Sequence, residues 1–206
     1  FLLLLINCST GIGQEYGQHG MVVSSNKLAS QVGIEILKKG GNAIDASIAT
    51  AFALQVTHPE AGNIGGGGFL VFMNAQGQVT TIDFREKAAL AANQKMFLND
   101  KGQLMQDSNH ESLLSVGVPG TVAGLFLAHQ KYGTLAWKDL VQPAVNLAKN
   151  GFIMSWGLYR DAREIIALDT SNAFMKTYFN NSKGQLCKPG ELWKQAALAK
   201  TLELIR

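Results

Sequence analysis

The chain has 206 residues, 47% of them hydrophobic and 16% charged, with a formal net charge of +3 at pH 7. That is enough apolar material for one folded domain, or most of one, and it excludes a disordered chain. Lys and Arg are scattered, with no basic run interleaved with aromatics, so nucleic acid is not an expected partner.

Residues 1–13, FLLLLINCSTGIG, form a short apolar block followed by small residues. This reads as the end of a secretory leader, too short to span a membrane, and sets the expected location as the periplasm or the cell exterior. Residues 1–19 are accordingly assigned to the leader and 20–206 to the folded body. Cys8 stands where a lipidated cysteine would, although Asn7 departs from the small residues usual before one; the alternative is a buried first strand. If Cys8 leaves with the leader, Cys187 has no partner and no disulfide framework is available. His19, His58, His110 and His129 form no HExxH and no Cys/His pair at metal spacing, so a metal is not expected.

From Ser25, the apolar positions Leu28, Val32 and Ile36 recur at helical spacing, and Gly40-Gly41 ends the pattern. Asn42 can cap a second helix, with Asp45 near its positive end and Ile44, Ile48, Ala51 and Phe52 along one face. Its many small residues suit close packing, and Thr57-His58-Pro59 breaks it. Residues 69–73 and 79–84 then read as a β-hairpin across the turn-prone 74–78.

Strand alternation places Ile82 and Phe84 on one face of that hairpin and Asp83 and Arg85 on the other. Arg85 can therefore offer its planar fork of donors to a carboxylate, with Asp83 holding the fork; the alternative is an Asp–Arg ion pair without a ligand. The run Gly65 to Gly68 precedes a strand instead of opening a helix and lacks a following Gly-Lys-Ser or Gly-Lys-Thr, which excludes a dinucleotide fingerprint and a P-loop. What remains is backbone that takes positive φ or passes very close to another segment, lining or supporting a site.

Residues 87–115 are polar and turn-rich, as in a long surface excursion. Val116-Gly117-Val118-Pro119-Gly120 introduces a helix over 121–131, stopped by Gly133. Residues 137–140 and 143–149 read as two helical pieces with Pro143 in the first turn of the second, and Gly151 as the stop. Further helices are expected over 157–167 and 192–205; no internal repeat appears.

Five phrases in register now resemble one family: Gly40-Gly41-Asn42-Ala43-Ile44-Asp45-Ala46, the glycine segment from His58 to Phe69, Asp83-Phe84-Arg85-Glu86-Lys87-Ala88, Val116 to Gly120, and Tyr132-Gly133-Thr134-Leu135-Ala136-Trp137. Over residues 20–206 they are similar to the large-subunit part of a γ-glutamyltranspeptidase, or glutathione hydrolase. The resemblance implies an α+β chain, part of a four-layer αββα N-terminal-nucleophile hydrolase cut from a precursor. It implies glutathione and other γ-glutamyl amides as substrates, a small subunit from the same precursor as partner, and no cofactor. It also implies that Arg85 grips the α-carboxylate of the γ-glutamyl group, with Asp83 and Glu86 as supports.

Two features depart from the family pattern. Ala89 stands where a proline is usual, which loosens the exit from the Arg85 segment. Thr57, Thr80, Thr81 and Thr170 all lie in or between large-subunit phrases, so the resemblance places the nucleophilic threonine outside this sequence, truncated as it is, and the chain alone is expected to be inactive. The competing readings are an acylase for glutaryl-type amides on the same fold and a noncatalytic exported protein that binds an anionic small molecule.

Overall fold

The computed structural model describes residues 16–110, 112–168 and 173–206; Cys8 and Thr170 lie outside them. Helix α1 (Lys27–Lys38) begins where Asn26 accepts the backbone N–H of Leu28, and the Asn26 amide also donates to the carbonyl of Thr57 at 3.0 Å. One residue thus caps α1 and ties its start to the end of α2 (Ala43–Thr57). The left-handed Gly40, at φ 88°, turns the chain between them.

Helix α2 opens on a capping box: Asn42 accepts from the N–H groups of Ile44 and Asp45, and Asp45 accepts from that of Asn42. Its residues are buried on nearly all sides, which explains the small side chains. Ala46, Ala49 and Ala53 let neighbours approach, while Ile48, Phe52 and Val56 fill the centre of the core. Burying Phe52 alone contributes about 1.5–3 kcal/mol.

Strands β1 (Phe69–Met73) and β2 (Val79–Asp83) pair antiparallel, with Phe69 opposite Asp83 and Met73 opposite Val79. Leu70, Phe72 and Ile82 face the core, whereas Phe69, Val71, Met73 and Val79 are exposed. The chain then makes the polar excursion, which includes a 3-10 turn at Leu113–Ser115, before α3 (Thr121–Tyr132).

Helix α4 (Trp137–Asn150) is continuous, correcting the expectation of two pieces. Pro143 lacks the N–H that would bond Asp139, yet Leu140, Val141, Ala144, Val145 and Ala148 form one buried stripe across it. Packing of that stripe against α2 outweighs the local cost of a proline within the helix.

After β3 (Phe152–Ile153) come α5 (Trp156–Leu168), α6 (Ala173–Tyr178), β4 (Leu192–Trp193) and α7 (Ala196–Ile205). Strand β4 corrects the expected helix over 192–205: Trp193 pairs with Phe152, its ring stacks on Phe179, and Tyr178 meets it edge-on. Gln195 then ends the strand by donating its side-chain amide to Val56 O and its backbone N–H to Ala148 O, so α7 starts only afterwards. The architecture is mixed, with two small antiparallel sheets set against the helices. No helix among the described residues is long and apolar enough to cross a membrane.

Candidate active site

Arg85 stands two residues past the end of β2, and the backbone around it is held at both ends. On its N-terminal side the N–H of Phe84 donates to Gly68 O at 3.0 Å; on its C-terminal side Lys87 and Val118 exchange backbone bonds at 3.2 and 2.7 Å. The Phe84 ring packs on the core while Arg85 and Glu86 are exposed. The strand end therefore delivers the guanidinium to solvent from a fixed base.

The glycine segment is part of that base. Gly66 O accepts from the N–H groups of Gly120 and Thr121, at 2.8 and 3.0 Å, and so joins the glycine run to the start of α3. Asn63 reinforces the joint by accepting from Gly66 N and from the Thr121 hydroxyl. The sequence left two explanations for the run, and the structure chooses one: none of Gly65 to Gly68 has positive φ, whereas Gly67 and Gly68 lie against the 84–86 segment. Close approach, not turn geometry, is what requires glycine here.

The side chain of Asp83 bonds to backbone. Asp83 accepts the backbone N–H of Arg85 at 3.0 Å and forms no ion pair with the guanidinium, so it shapes the peptide after β2 and leaves the fork free. Glu86 is exposed, with its Cβ beside Gly117. Among the described residues no carboxylate pairs with Arg85. An exposed guanidinium on an anchored strand end, without an acidic partner, is suited to a carboxylate ligand.

Sequence reasoning missed the Asn63, Gly66 and Thr121 joint and the Lys87–Val118 bridge. Asn63 three residues before Gly66 was a local turn signal, but its second partner is 58 residues away. The histidines stay apart in role: His58 Nδ1 meets Glu60 at 2.5 Å at the exit of α2, and His129 Nε2 bonds Leu135 O. No group of three or more His, Cys, Asp or Glu that could hold a metal ion occurs among the described residues. Thr57 is buried with its hydroxyl donated to Ala53 O, and Thr80 and Thr81 lie within β2.

The profile of the family described as Gamma-glutamyltranspeptidase matches residues 29–206. The chain belongs to the γ-glutamyltranspeptidase family. The glutathione hydrolase proenzyme of Pseudomonas sp. (strain A14) is 45% identical over 192 residues, covering 91% of this chain and 33% of its own length. This chain thus spans about a third of that relative. The crystal structure of Helicobacter pylori γ-glutamyltranspeptidase superposes with a TM-score of 0.85 at 41% identity, covering 94% of this chain and 55% of that one. A cephalosporin acylase from Bacillus halodurans follows at a TM-score of 0.76 and 28% identity, over 98% of this chain and 39% of that one.

Proposed function

We propose that this chain is the large-subunit part of a γ-glutamyltransferase and glutathione hydrolase, and that Arg85 binds the α-carboxylate of the γ-glutamyl donor. The carrying observation is the anchored guanidinium of Arg85, paired with no carboxylate among the described residues, within a chain of this family. A fork of donors fixed on the α-carboxylate orients the rest of the substrate, so that the γ-carbonyl carbon stands at the nucleophile and part of the rate comes from positioning.

The nucleophile in this reading is the N-terminal threonine of the small subunit. Its hydroxyl oxygen adds to the γ-carbonyl carbon, its proton passes through the α-amine to the leaving amine, and a γ-glutamyl ester remains. Water releases glutamate from the ester, or an amino acid or peptide amine takes the γ-glutamyl group; either restores the threonine. Thr57 is buried and Thr80 and Thr81 lie within β2, so none of these three is a free chain start, and this reading expects the chain by itself to be inactive. The outward apolar face of Phe69, Val71, Met73 and Val79 supports a complete four-layer αββα fold, because it is a sheet face with no covering layer among the described residues. We also place the complete protein in the periplasm or outside the cell, which fractionation and mass spectrometry of the mature N-terminus, including Cys8, would test.

The acylase reading uses the same arginine for a glutaryl carboxylate and is favoured by the likeness to the cephalosporin acylase. The two separate on substrate: the complete protein should hydrolyse glutathione in preference to a glutaryl amide. In that protein Arg85→Lys should raise KM for a γ-glutamyl donor about tenfold or more, since a point charge replaces a fork. An unchanged KM overturns the role of Arg85, and turnover by the isolated chain overturns its assignment as nucleophile-free.

A further inference from the structure

The Phe84–Glu86 backbone runs through a slot whose two walls come from distant parts of the sequence. On one side is Gly67: a Cβ built there would lie 2.6 Å from Phe84 O and 2.7 Å from both Arg85 Cα and Glu86 N. On the other is Gly120, where a Cβ would collide with Phe84 O and press on its carbonyl carbon. Real Cβ atoms are not found at such distances from backbone, and a backbone cannot swing aside as the end of a side chain can. Gly66 O, bonded to the N–H groups of Gly120 and Thr121, locks the two walls together. Gly65, in the same run, has nothing within 4 Å of a built Cβ.

We infer that Gly67 and Gly120 are positioning residues that set where the Arg85 guanidinium stands, and thereby how strongly the site discriminates for an α-carboxylate. The inference rests on the assignment of Arg85 made above. A methyl group at either wall must displace the segment that carries Arg85 Cα, by an amount on the scale of the missing clearance. The guanidinium then no longer meets the carboxylate with both arms, while groups that recognise other parts of the donor are left in place. Loss of fit of this kind, at a contact made by geometry, is costly even for sub-ångström shifts.

The test uses the complete mature enzyme and two competitive inhibitors that differ only in the α-carboxylate, L-glutamate and 4-aminobutyrate. The ratio of their inhibition constants does not depend on the folded fraction, so a loss of folded protein alone leaves it unchanged. Gly67→Ala should shrink the preference for glutamate by about tenfold, and Gly65→Ala should keep it. If Gly67→Ala yields no folded enzyme, Gly117→Ala replaces it: its Cβ would lie 3.0 Å from Glu86 Cβ and 3.6 Å from Lys87 O, a softer push on the same segment, and the preference should still fall. A preserved ratio in the folded wall variant overturns the inference, as does equal loss in Gly65→Ala. Arg85→Lys serves as the reference: if it collapses the preference while Gly67→Ala does not, only the positioning role fails, whereas if Arg85→Lys itself leaves the preference intact, the assignment of Arg85 fails with it.

Discussion

Asp45 is the buried carboxylate on which the helical half of the fold closes, and removing it should destabilise the protein severely. It has no solvent-accessible surface, and no Lys or Arg pairs with it among the described residues. Its carboxyl group is held by donors alone: Asn42 N–H at 3.0 Å, Thr134 N–H at 3.1 Å, the Thr134 hydroxyl at 2.5 Å and Leu135 N–H at 3.4 Å. Hydrogen bonds to a charged group are worth about 1.5–3 kcal/mol each, but they share the two oxygens of one carboxyl group and Thr134 can regain water, so they do not add in full. Asp45→Ala should therefore cost about 3–4 kcal/mol, a large part of a typical stability of about 5–15 kcal/mol. Urea unfolding followed by tryptophan fluorescence reads this directly, and a cycle with Thr134→Val should give a coupling of about 1–2 kcal/mol. A cost for Asp45→Ala below about 1 kcal/mol, or full additivity with Thr134→Val, would refute the argument.

Two further outcomes concern the C-terminal half. Burial, and secondarily the nearby Glu191 carboxylate, push the Cys187 thiol above its ordinary pKa, and the side chain is fully enclosed; in a Cys8→Ser background it should react with a thiol reagent only as fast as the protein opens, and rapid native labelling would contradict this. Glu191 is held below the ordinary carboxyl range, first by the Lys188 N–H and then by the Asn181 amide. A depressed native pKa contributes stability that is present above the unfolded value and lost as pH falls through the native one. The deficit of Glu191→Gln against wild type should accordingly be visible at neutral pH and vanish in acid, and a deficit that grows toward acid would show the sign to be wrong.

Much of the fold was legible because its signals are local. Asn26 and Asn42 cap helices within their own first turn, and the 74–78 turn joins strands on either side of it. Arg85 emerged as an outward-facing strand-end residue from alternation alone. What the sequence hid are the places where distant packing overrides a local rule. Pro143 sits inside α4 because its buried stripe continues on both sides, and Leu192–Trp193 leaves the helical pattern because Trp193 has an aromatic pocket and a strand partner in Phe152. The exchange of Asp83 from the Arg85 side chain to its backbone was equally hidden, since spacing places both groups on one face without saying which donor is taken.

The same distinction explains why a family phrase can matter without carrying chemistry. Gly40 to Ala46 and Tyr132 to Trp137 meet at Asp45, and Asn42 adds a bond of 2.6 Å to Tyr132 O, so these two phrases are the halves of one latch. The glycine run and Val116 to Gly120 meet at Gly66 and wall the segment between them, so these two phrases build the seat of the third. Of the five phrases, only the one holding Arg85 presents an unpaired charge to solvent at this site. Helix α2 links the assemblies: its first turn carries the latch, and its end leads through the His58 turn into the glycine run. A perturbation at Asp45 that loosens α2 without unfolding it should therefore reach Arg85 through the glycine run, appearing as a weaker preference for glutamate over 4-aminobutyrate before it appears as lost protein. Asp45→Asn, which keeps the shape and one acceptor, is the variant in which that order can be observed, and loss of protein with an unchanged preference would show that the two assemblies are mechanically separate.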